Sequence, residues 1–541
     1  IFVQGDRDHL AIRGHNAKTR EEFRELVETE QWDKLFRVVT IKKGQYTYGP
    51  QGTLHGSPYA PTEEEKDMVE LGFETNSDIT YRLYDWGRNM PDRPLHVEKV
   101  IETVNIPDDQ NMGVDIVEKD IDVTEFEKED LTIIKVGSSR KALAIMAAVF
   151  YDHPAQKLKM IGITGTKGKT TTAYMIRDIL LASGKKTGMI GTIYNTYGNE
   201  EIEATRTSPE SLDLQELLKK MVDAGMEFVV MEVSSHALEL DRVYGIRFNV
   251  GVFTNLSEEH LDFHKNMENY LNAKMKLFDM SDFAIINGDD IHAPKIKKMI
   301  KTKFATYGLD NDVNLTATDI RINPGYVEYK MYINKMLQTI HINIPARFTV
   351  YNSLAAIAVC SLFNCQMDAI LLALANVKVP GRSEIVDIGK TFTVMIDYAH
   401  NPSSLEAILT ATKKHAKSRI ICVFGCGGNR DKLKRPVMGE IAGRLADFTV
   451  ITTDNPRNED PKEIMNEIEE GIKKTRGLYK VIENRKEAIK FAMRIAWKND
   501  IVIIAGKGHE TYQILKNNKK IPFDERKIVK QIAESMEEKN I

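Results

Sequence analysis

The stretch GITGTKGKTTT, residues 162–172, lies where an apolar segment gives way to a helical pattern. KMIGIT (159–164) has the apolar character of a buried strand, and a helix is predicted to begin at Lys169. Glycines in such a turn let backbone N–H groups surround an anion, and a helix N-terminus adds a positive dipole end. The stretch therefore predicts a phosphate site. The residues predicted to form it are Gly165, Thr166, Lys167, Gly168, Lys169, Thr170 and Thr171.

The strict phosphate-loop pattern requires a glycine five residues before the Gly-Lys pair, and this chain has Ile163 there. Gly162 stands one residue too early. The strand–turn–helix context still favours a nucleotide, because Lys169 can reach the outer phosphates and the Thr170 hydroxyl can bind Mg²⁺. The alternative is a glycine-rich turn that binds nothing.

Beyond this loop, apolar strands alternate with amphipathic helices, which predicts an α/β fold with parallel sheets covered on both faces. Residues 312–344 interrupt the series with alternating strands. VPGRSE (379–384) marks a boundary, and the second strand–helix series after it has no glycine-lysine loop. We therefore predict a central P-loop-type ATPase domain at 158–379 and a Rossmann-like domain at 380–541, preceded by a β-rich segment.

Polar residues stand at the ends of the strands that follow the loop. Glu232 lies at the end of FVVMEV, and Asn255, His260 and Asp262 follow the next strand. Each alone is compatible with a helix cap or a surface position. Ligands gather at the carboxyl edge of a doubly wound sheet, where phosphoryl transfer needs hard ligands for Mg²⁺. Together these residues predict a magnesium site.

The composition is that of a globular protein, with 42% hydrophobic and 28% charged residues among 541. The formal net charge of -4 gives no reason to expect nucleic acid or a membrane as partner, and no apolar run approaches the roughly 20 residues of a membrane span. Four cysteines argue against a disulfide scaffold, so a cytoplasmic location is predicted. Cys422 and Cys426 are predicted to be buried thiols. Because the first residue is Ile1 and not Met, one interpretation is that the chain is a fragment of a longer product.

Further motifs follow the loop in order, among them VMEVSSHALELDRV, TNLSEEHLDFH, NAKMKLF, VYNSLAA, DYAHNP, TDNPR and AGKGHETYQ. With the loop they resemble the Mur ligases over about residues 112–541. EVSSHAL, DNPR and GKGHE resemble the branch that forms UDP-N-acetylmuramoyl-tripeptide. The resemblance implies that ATP phosphorylates the terminal carboxylate of UDP-N-acetylmuramoyl-L-alanyl-D-glutamate, and that the amine of an amino acid attacks the acyl phosphate. It implies an ATP- and Mg²⁺-dependent ligase of peptidoglycan synthesis that acts on small molecules as a monomer.

The resemblance also implies roles for single residues. Lys169 and Thr170 would hold the β/γ-phosphates and a first Mg²⁺, which Glu232 would bind, and His260 would bind a second. Lys274, in NAKMKLF, matches a lysine that the family carries as a carbamate, an anion that helps to hold Mg²⁺. Without that match it would be read as a solvated helix lysine. The implied nucleotide contacts are Asn352, Arg382, Asp397 and His400.

Two substrate pockets are implied as well. DNPR, with Arg457, resembles the members that add meso-diaminopimelate, whose second carboxylate a guanidinium can grip and L-lysine lacks. A surface salt bridge is the alternative for Arg457. Glu510 would take the far ammonium group. The rest of this pocket is Arg430, Asp454, Asn455 and Gly506, and the implied contacts to the nucleotide-sugar peptide are Thr207, Ser208, Ser234 and Arg242.

The N-terminal part departs from the family. Residues 111–157 give the last strand (LTIIKV) and helix (SRKALAIMAAVFY) of its uridine-binding domain, whereas residues 1–110 resemble a truncated type I mannose-6-phosphate isomerase, a cupin. His55, Arg82 and Arg88 stand in matching motifs, but one histidine makes no Zn²⁺ site. An idle nucleotide-binding fusion, an artefact of assembly, an L-lysine-adding ligase and a folylpolyglutamate synthetase remain alternatives.

Overall fold

The structure is a computed structural model, in which the chain divides into two units, Ile1–Met146 and Ala147–Ile541. In the described part of the chain, no helix has the length and apolar character needed to cross a bilayer. The residues that the structure describes are 9–29, 31–41, 46–47, 55–56, 71–74, 80–84, 114–118, 132–310, 312–323, 325–333 and 335–537.

The first unit is β-rich where it is described. An antiparallel sheet has the order β2-β1-β4-β5-β6, and in a smaller sheet β7 pairs antiparallel with β3 and parallel with β8. The predicted strand LTIIKV and the helix after it are confirmed. The cupin resemblance stays a prediction, because the side chains of His55, Arg82 and Arg88 lie outside the described residues. The elements are β1 (His9–His15), α1 (Arg20–Glu28), α2 (Trp32–Leu35), β2 (Phe36–Ile41), β3 (Tyr46–Thr47), β4 (His55–Gly56), β5 (Leu71–Glu74), β6 (Thr80–Tyr84), β7 (Val114–Glu118), β8 (Thr132–Val136) and α3 (Ser139–Phe150), in which the division between the units falls.

A nine-stranded sheet forms the centre of the second unit, in the order β12-β11-β10-β13-β9-β14-β15-β16-β17. β9 lies between β13 and β14, parallel to both, so Glu232 pairs with Ile163 and Phe253 with Thr164. This register brings three carboxyl ends together beside the loop. The strands are β9 (Lys159–Thr164), β10 (Thr187–Ile190), β11 (Tyr194–Tyr197), β12 (Glu200–Glu203), β13 (Phe228–Glu232), β14 (Phe248–Phe253), β15 (Ser281–Asn287), β16 (Lys303–Gly308) and β17 (Leu315–Thr316).

Helices cover both faces of the central parallel strands, which explains why those strands are apolar on both sides, whereas the antiparallel edge strand β12 is exposed. On one face α4, α10 and α11 share a core with a three-stranded antiparallel sheet, β18-β19-β20, which is the interruption predicted at 312–344. On the other face α5, α8 and α9 cover the strands. A 3-10 turn (Pro154–Lys157) precedes β9. The elements are α4 (Lys169–Ala182), α5 (Ser211–Asp223), α6 (Ser235–Glu239), α7 (Leu261–His264), α8 (Met267–Asp279), α9 (Ala293–Met299), β18 (Thr318–Ile322), β19 (Val327–Ile333), β20 (Met336–Ile342), α10 (Arg347–Leu362) and α11 (Met367–Asn376).

The predicted second strand–helix series forms a six-stranded sheet with the order β21-β22-β26-β23-β24-β25, parallel except for β21. One core packs under α12, α13 and α14, and another under α15 and α16. A 3-10 turn (Lys516–Asn518) separates the last two strands. The elements are β21 (Glu384–Val386), β22 (Thr393–Asp397), α12 (Pro402–Lys413), β23 (Ile420–Phe424), α13 (Lys434–Leu445), β24 (Phe448–Ile451), α14 (Pro461–Ile472), β25 (Tyr479–Val481), α15 (Arg485–Ile495), β26 (Ile501–Ala505), β27 (Tyr512–Ile514), β28 (Lys520–Pro522) and α16 (Glu525–Glu537).

The cysteines behave as the sequence predicted. All four are free thiols, and Cys422 and Cys426 are buried. Among the described residues, no group of three His, Cys, Asp or Glu side chains is arranged to hold a metal ion.

Candidate functional site

The predicted phosphate loop connects β9 to α4, as the sequence indicated. Gly168 is the N-cap of α4 and has a φ of 88°, a left-handed conformation that glycine adopts without strain. A Cβ at this position would lie 2.6 Å from Asn352 Oδ1, so a side chain would also collide with α10. The first turn of α4 therefore presents its N–H groups without a capping side chain, the arrangement that binds anions.

Gly162 has a different role from the loop glycines. It lies inside β9, where a Cβ would approach Phe248 Cδ1 to 2.8 Å and Leu277 Cδ1 to 2.9 Å. Its small size serves the packing of the sheet against Phe248 and α8. Core packing, and not phosphate binding, therefore explains why a glycine stands one residue too early for the strict loop pattern.

Asn255, at the end of β14, fixes the loop. Its side chain accepts from the N–H of Lys167 (2.9 Å) and donates to the Lys167 carbonyl (2.8 Å). Its own carbonyl accepts from the N–H of Thr166 at 2.8 Å, and the Thr254 hydroxyl donates to the Lys167 carbonyl at 2.7 Å. Both polar groups of the Asn255 amide are engaged, so this residue shapes the loop. Asp262 lies in the short helix α7.

The partly buried Lys169 and the buried Lys274 meet at the loop. Lys169 Nζ donates to the carbonyls of Gly165 and Thr166, both at 2.9 Å, and Lys274 Nζ donates to the same Gly165 carbonyl at 2.9 Å. The Lys274 ammonium also lies 4.2 Å above the ring of Tyr270. Burial lowers the pKa of both amines, and the charge of Lys169 lowers that of Lys274 further. Lys274 is 1% exposed, so the reading of a solvated helix lysine is wrong.

Glu232 lies at the end of β13 with both carboxylate oxygens directed at this cluster. Oε2 accepts from the hydroxyls of Thr170 (2.9 Å) and Thr192 (3.1 Å), and Oε1 accepts from the N–H of Thr192 (2.9 Å). A carboxylate beside a hydroxyl at a phosphate loop is the oxygen donor set that Mg²⁺ prefers. Since Mg²⁺ is seldom held by an all-protein cage, these groups fit an ion completed by phosphate oxygens and water.

Sequence reasoning missed Thr192. It follows β10, which pairs with β13, and this pairing places it against Glu232. Its hydroxyl also lies 3.1 Å from that of Thr207, so it connects the predicted metal ligand to a predicted substrate contact. Its position just after a strand could have indicated a site residue, because ligands gather at the carboxyl edge of such a sheet.

His260 precedes α7 in a left-handed conformation (φ 57°). Its ring centroid lies 4.8 Å from that of His236 and 6.3 Å from that of Tyr270. Burial lowers the pKa of His260, and Lys169 and Lys274 lower it further, against the opposing charge of Glu259. A neutral imidazole keeps a lone pair for a cation, so this residue fits the predicted second metal site.

Three predicted contacts to the nucleotide-sugar peptide lie beside Glu232. Ser208 Oγ lies 3.0 Å from the Glu232 carbonyl and 3.0 Å from the N–H of Ser234, and Thr207 reaches Glu232 through Thr192. Arg242 forms an ion pair with Glu210 at 2.8 Å. The structure therefore brings this set to the carboxyl end of β13.

The predicted nucleotide contacts come from both sheets. Asn352 is buried against Gly168, and its Nδ2 has no hydrogen-bond partner, which leaves a donor at the loop. The Arg382 guanidinium lies 4.8 Å above the Tyr398 ring. Asp397 accepts from the N–H of Ser383 (2.7 Å); burial raises the pKa of its carboxyl, and Arg382 opposes the rise. The Nδ1–H of His400 donates to the Tyr398 carbonyl at 2.8 Å.

Contacts between the two sheets of this unit lie at the loop. Lys167 Nζ donates to Ser403 Oγ at 3.0 Å, and Asn401 Nδ2 donates to Glu259 Oε1 at 3.4 Å. Ser403 and Asn401 stand at the N-terminus of α12. The phosphate loop therefore faces the second sheet.

The predicted amino-acid pocket lies at the carboxyl ends of β23, β24 and β26. Arg457 has a φ of 51° and donates from Nη1 to the Gly428 carbonyl at 2.9 Å. Burial lowers the pKa of Arg457, and the neighbouring charge of Arg430 lowers it further, while Asp454 and Glu510 oppose the shift. Two guanidinium groups thus lie close enough to repel each other, which favours an anion between them. The surface salt bridge is wrong, because Arg457 is partly buried and donates to a carbonyl.

Lys507 is the second residue that sequence reasoning missed. Its fully buried ammonium donates to Glu510 Oε2 (2.8 Å) and to Asn455 Oδ1 (2.9 Å), and Asn455 Nδ2 also donates to Glu510 Oε2 (2.8 Å). This network fixes the carboxylate of Glu510. Lys507 could have been found from the sequence, because it lies in the motif GKGHE between the predicted residues Gly506 and Glu510.

Gly506 and Asp454 complete the pocket. Gly506 has a φ of 118°, and a Cβ there would lie 2.5 Å from Asp454 Oδ2. That oxygen is buried without a hydrogen-bond partner. A buried carboxylate oxygen with a free acceptor site is suited to a donor from a ligand.

Family models match two parts of the chain: the Mur ligase middle domain at residues 163–360 and the Mur ligase glutamate ligase domain at 381–508. A UDP-N-acetylmuramoyl-L-alanyl-D-glutamate–2,6-diaminopimelate ligase of Clostridium perfringens is 50% identical over 426 residues, 77% of this chain and 86% of the relative. A relative of the same description from Caldanaerobacter subterraneus is 47% identical over 480 residues, 86% of this chain and 97% of the relative.

Among solved structures, one described as a UDP-N-acetylmuramoyl-L-alanyl-D-glutamate–2,6-diaminopimelate ligase is similar to this chain with a TM-score of 0.58 and 28% identity. It covers 81% of this chain and 89% of its own. The Caldanaerobacter match covers more of this chain than residues 112–541 make up, so it reaches into the segment predicted to be cupin-like. The domain boundaries stay predictions.

Proposed function

Because the chain belongs to the Mur ligase family, we propose that it is an ATP-dependent ligase that joins meso-diaminopimelate to UDP-N-acetylmuramoyl-L-alanyl-D-glutamate. The observation that carries this choice of amino acid is the pocket in which Arg457 is close to the charges of Arg430 and Glu510, and in which Lys507 and Asn455 donate to Glu510. The relatives named for the same reaction support it.

The phosphates of ATP would lie on the loop. The N–H groups at the start of α4 hold the outer phosphate oxygens, and Lys169 exchanges its bonds to loop carbonyls for bonds to phosphate. The unpartnered amide of Asn352 donates to the nucleotide. Arg382, Asp397 and His400 line the side contributed by the second sheet.

A first Mg²⁺ would be held by Thr170 and Glu232, and a second by His260 with Lys274 as its carbamate. When bound, these ions neutralise charge on the transferring phosphoryl group. Thr192 holds the Glu232 carboxylate in position through two hydrogen bonds.

Lys274 would have to change its charge to take this part, since an ammonium group repels a cation. Burial and the charge of Lys169 lower the pKa of Lys274, and this favours the neutral amine. The amine nitrogen adds to the carbon of CO₂ and releases one proton, which gives the anionic carbamate. The 1% exposure of Lys274 favours loss of the ammonium charge, and the neighbouring cation Lys169 would stabilise the carbamate anion.

The reaction proceeds by two displacements. A carboxylate oxygen of the D-glutamyl residue attacks the γ-phosphorus, and ADP leaves. The free amine of diaminopimelate then attacks the carbonyl carbon of the acyl phosphate, so that an amide forms, phosphate leaves and the amine loses a proton. Thr207, Ser208 and Ser234 would place the sugar-peptide at the end of β13, beside the phosphates. The protein contributes mainly position and charge.

In the amino-acid pocket, Arg457 and Arg430 would bind the far carboxylate of diaminopimelate. The far ammonium would donate to Glu510, whose orientation Lys507 and Asn455 fix, and to the unpartnered oxygen of Asp454. L-Lysine has the ammonium but lacks the carboxylate, so it would leave two guanidinium groups without their anion.

The test is phosphate release from Mg-ATP by the full-length chain with UDP-N-acetylmuramoyl-L-alanyl-D-glutamate, adding meso-diaminopimelate or L-lysine in parallel. Release that requires both the sugar-peptide and diaminopimelate is expected. Release with lysine instead would keep the ligase and overturn the pocket assignment. No release with either, while ATP still binds, would identify an idle fusion.

A further inference from the structure

A fully buried ion pair lies beneath the amino-acid pocket. Arg485, the first residue of α15, donates from Nε to Glu525 Oε1 of α16 at 2.7 Å, and neither side chain is exposed to solvent. A cation at a helix N-terminus opposes the helix dipole, so this arginine does not stabilise the helix that it begins. Burying both charges also costs solvation free energy that an ion pair alone seldom returns. The guanidinium group therefore needs an explanation beyond the ion pair itself.

The remaining donors of Arg485 reach the strands that form the pocket. Nη1 donates to the Thr453 carbonyl just after β24 (3.1 Å), and Nη2 donates to the Ala505 carbonyl at the end of β26 (2.8 Å). Each carbonyl belongs to the peptide group that leads into a pocket residue, Asp454 in the first case and Gly506 in the second. Because β23 lies between β24 and β26, the guanidinium joins the carboxyl ends of two strands that do not pair with each other.

The space beside Gly506 shows how close this guanidinium comes to the pocket. A Cβ built at Gly506 would lie 2.5 Å from Asp454 Oδ2 and 3.8 Å from Arg485 Nη2. The N–H of Gly506 donates to the Asp397 carbonyl at 3.1 Å. The peptide group between Ala505 and Gly506 is therefore held at its oxygen by Arg485 and at its nitrogen by the backbone of β22.

The charges around Arg485 favour the same arrangement. Burial disfavours the charged guanidinium, but Glu525 and Asp454 outweigh burial and raise the pKa of Arg485. The donors of Arg485 are engaged by Glu525 and the two carbonyls, and Asp454 Oδ2 has no hydrogen-bond partner. Arg485 thus attracts the charge of Asp454 and leaves Oδ2 free for an ammonium group.

We propose that Arg485 is a positioning residue of the amino-acid pocket: it holds the peptide groups of Asp454 and Gly506 at the separation that admits the ammonium group of the amino acid. The inference rests on the proposed function for the identity of that amino acid, meso-diaminopimelate. Arg485 acts from below the pocket floor and touches no substrate. Glu525 balances its charge and has no part in binding.

The first test separates position from stability. The paired variant Arg485→Met with Glu525→Met removes both buried charges together, so no unpaired buried charge is left to unfold the chain. In the full-length chain, KM for meso-diaminopimelate should rise roughly tenfold, because hydrogen bonds from a charged donor are lost, while KM for ATP stays within about twofold. Glu525→Gln keeps an acceptor for Nε and both carbonyl bonds. It should lower the midpoint of thermal unfolding and leave both KM values unchanged.

Arg419 supplies the matched control, because it forms a similar contact at the amino ends of strands in the same sheet. Its Nη2 donates to the Ile495 carbonyl (2.8 Å) and to the buried carboxylate of Asp500 (2.6 Å). Arg419→Met should therefore lower the midpoint of thermal unfolding while KM for meso-diaminopimelate and KM for ATP keep their native values.

Hydrogen exchange tests the inference independently of the proposed function. The N–H of Gly506 should exchange about tenfold faster in the paired variant than in the native chain, measured by mass spectrometry on a peptide spanning residues 501–510, and at the native rate in Arg419→Met. If the native chain released no phosphate with meso-diaminopimelate, the proposed function would fail, and the exchange rate would still decide the inference. Unchanged exchange, an equal rise in the two KM values of the paired variant, or a similar rise in KM for meso-diaminopimelate in Glu525→Gln would overturn the inference.

Discussion

At the phosphate loop, the ammonium group of Lys169 donates to backbone carbonyls, whereas in the amino-acid pocket Lys507 donates to the carboxylate of Glu510. A carbonyl satisfies a hydrogen bond but cancels no charge, so the loop keeps its positive charge for a polyanion. In the pocket, Lys507 and Glu510 neutralise each other and leave the guanidinium of Arg457 for a carboxylate. One site is therefore suited to a ligand with a net negative charge and the other to a zwitterion.

At the phosphate loop, Lys169→Met should have the largest effect of all the variants. The variant keeps the volume but loses the cation that meets the outer phosphates, so turnover should fall by about 10²–10³-fold. Phosphate release under saturating substrates measures it. Lys301→Met, at an exposed lysine, is the control and should keep full activity. An active Lys169→Met chain would remove this lysine from the mechanism.

The pocket side is tested by Arg457→Lys, which keeps the charge but not the two-pronged geometry. Loss of one charge-assisted hydrogen bond, about 1.5–3 kcal/mol, should raise KM for diaminopimelate roughly 10–100-fold and leave KM for ATP unchanged. Steady-state kinetics with each substrate varied in turn measure both constants. Arg444→Lys, at an exposed arginine of α13, is the matched control. An equal rise in both KM values would contradict a role confined to the amino acid.

Lys507→Met removes the internal cation of the amino-acid pocket. Glu510 then loses its fixed orientation, and KM for diaminopimelate should rise roughly tenfold, since one hydrogen bond to a charged group is lost. A cycle with Glu510→Gln isolates the pair. The double variant should be impaired less than the two single effects combined predict; additive effects would mean that Lys507 and Glu510 act independently.

Thr192→Val should have a smaller effect on the loop side. It removes the hydroxyl from Glu232 Oε2 but keeps the N–H to Oε1, a loss of about 1 kcal/mol. The Mg²⁺ concentration for half-maximal phosphate release should rise roughly fivefold, and Mn²⁺ binding followed by electron paramagnetic resonance should weaken in parallel. Thr318→Val, on an exposed strand, is the control. Unaltered Mn²⁺ affinity would show that Thr192 does not position the metal ligand.

Gly162→Ala should have the smallest effect on activity and separates packing from binding. Its methyl group would crowd Phe248, so the free energy of unfolding should fall by about 1–3 kcal/mol while KM for ATP stays within about twofold. Gly168→Ala should instead raise KM for ATP, because the left-handed φ and Asn352 both oppose a side chain there. Thermal unfolding and ATP kinetics distinguish the two. If Gly162→Ala raised KM for ATP as much as Gly168→Ala does, Gly162 would have a role in nucleotide binding and not only in packing.

The features that could be predicted from the sequence are formed by residues that lie close together in the chain. The phosphate loop is contiguous, so a strand, two glycines and a helix start define it without knowledge of the rest of the fold. Glu232 could be placed because a carboxylate at the end of a strand reaches the edge where ligands gather. The two α/β sheets followed from strand composition in the same way.

The residues that sequence reasoning missed depend on distant pairing. Thr192 meets Glu232 across 40 positions only because β10 pairs with β13, and Lys507 meets Asn455 across 52 positions only because β26 and β24 flank β23. The order of the strands in a sheet cannot be predicted from any single segment of the sequence. The burial of Lys274 was also unpredictable from its type, because lysine is seldom fully buried.

The bond between Lys167 and Ser403 has a thermodynamic consequence. Lys167 belongs to the phosphate loop. Ser403 lies in the first turn of α12, a helix that packs on the second sheet. Any phosphate that draws the Lys167 ammonium toward itself does so at the expense of that contact. Nucleotide affinity and the separation of the two sheets are therefore linked quantities, and each changes the other by the same free energy.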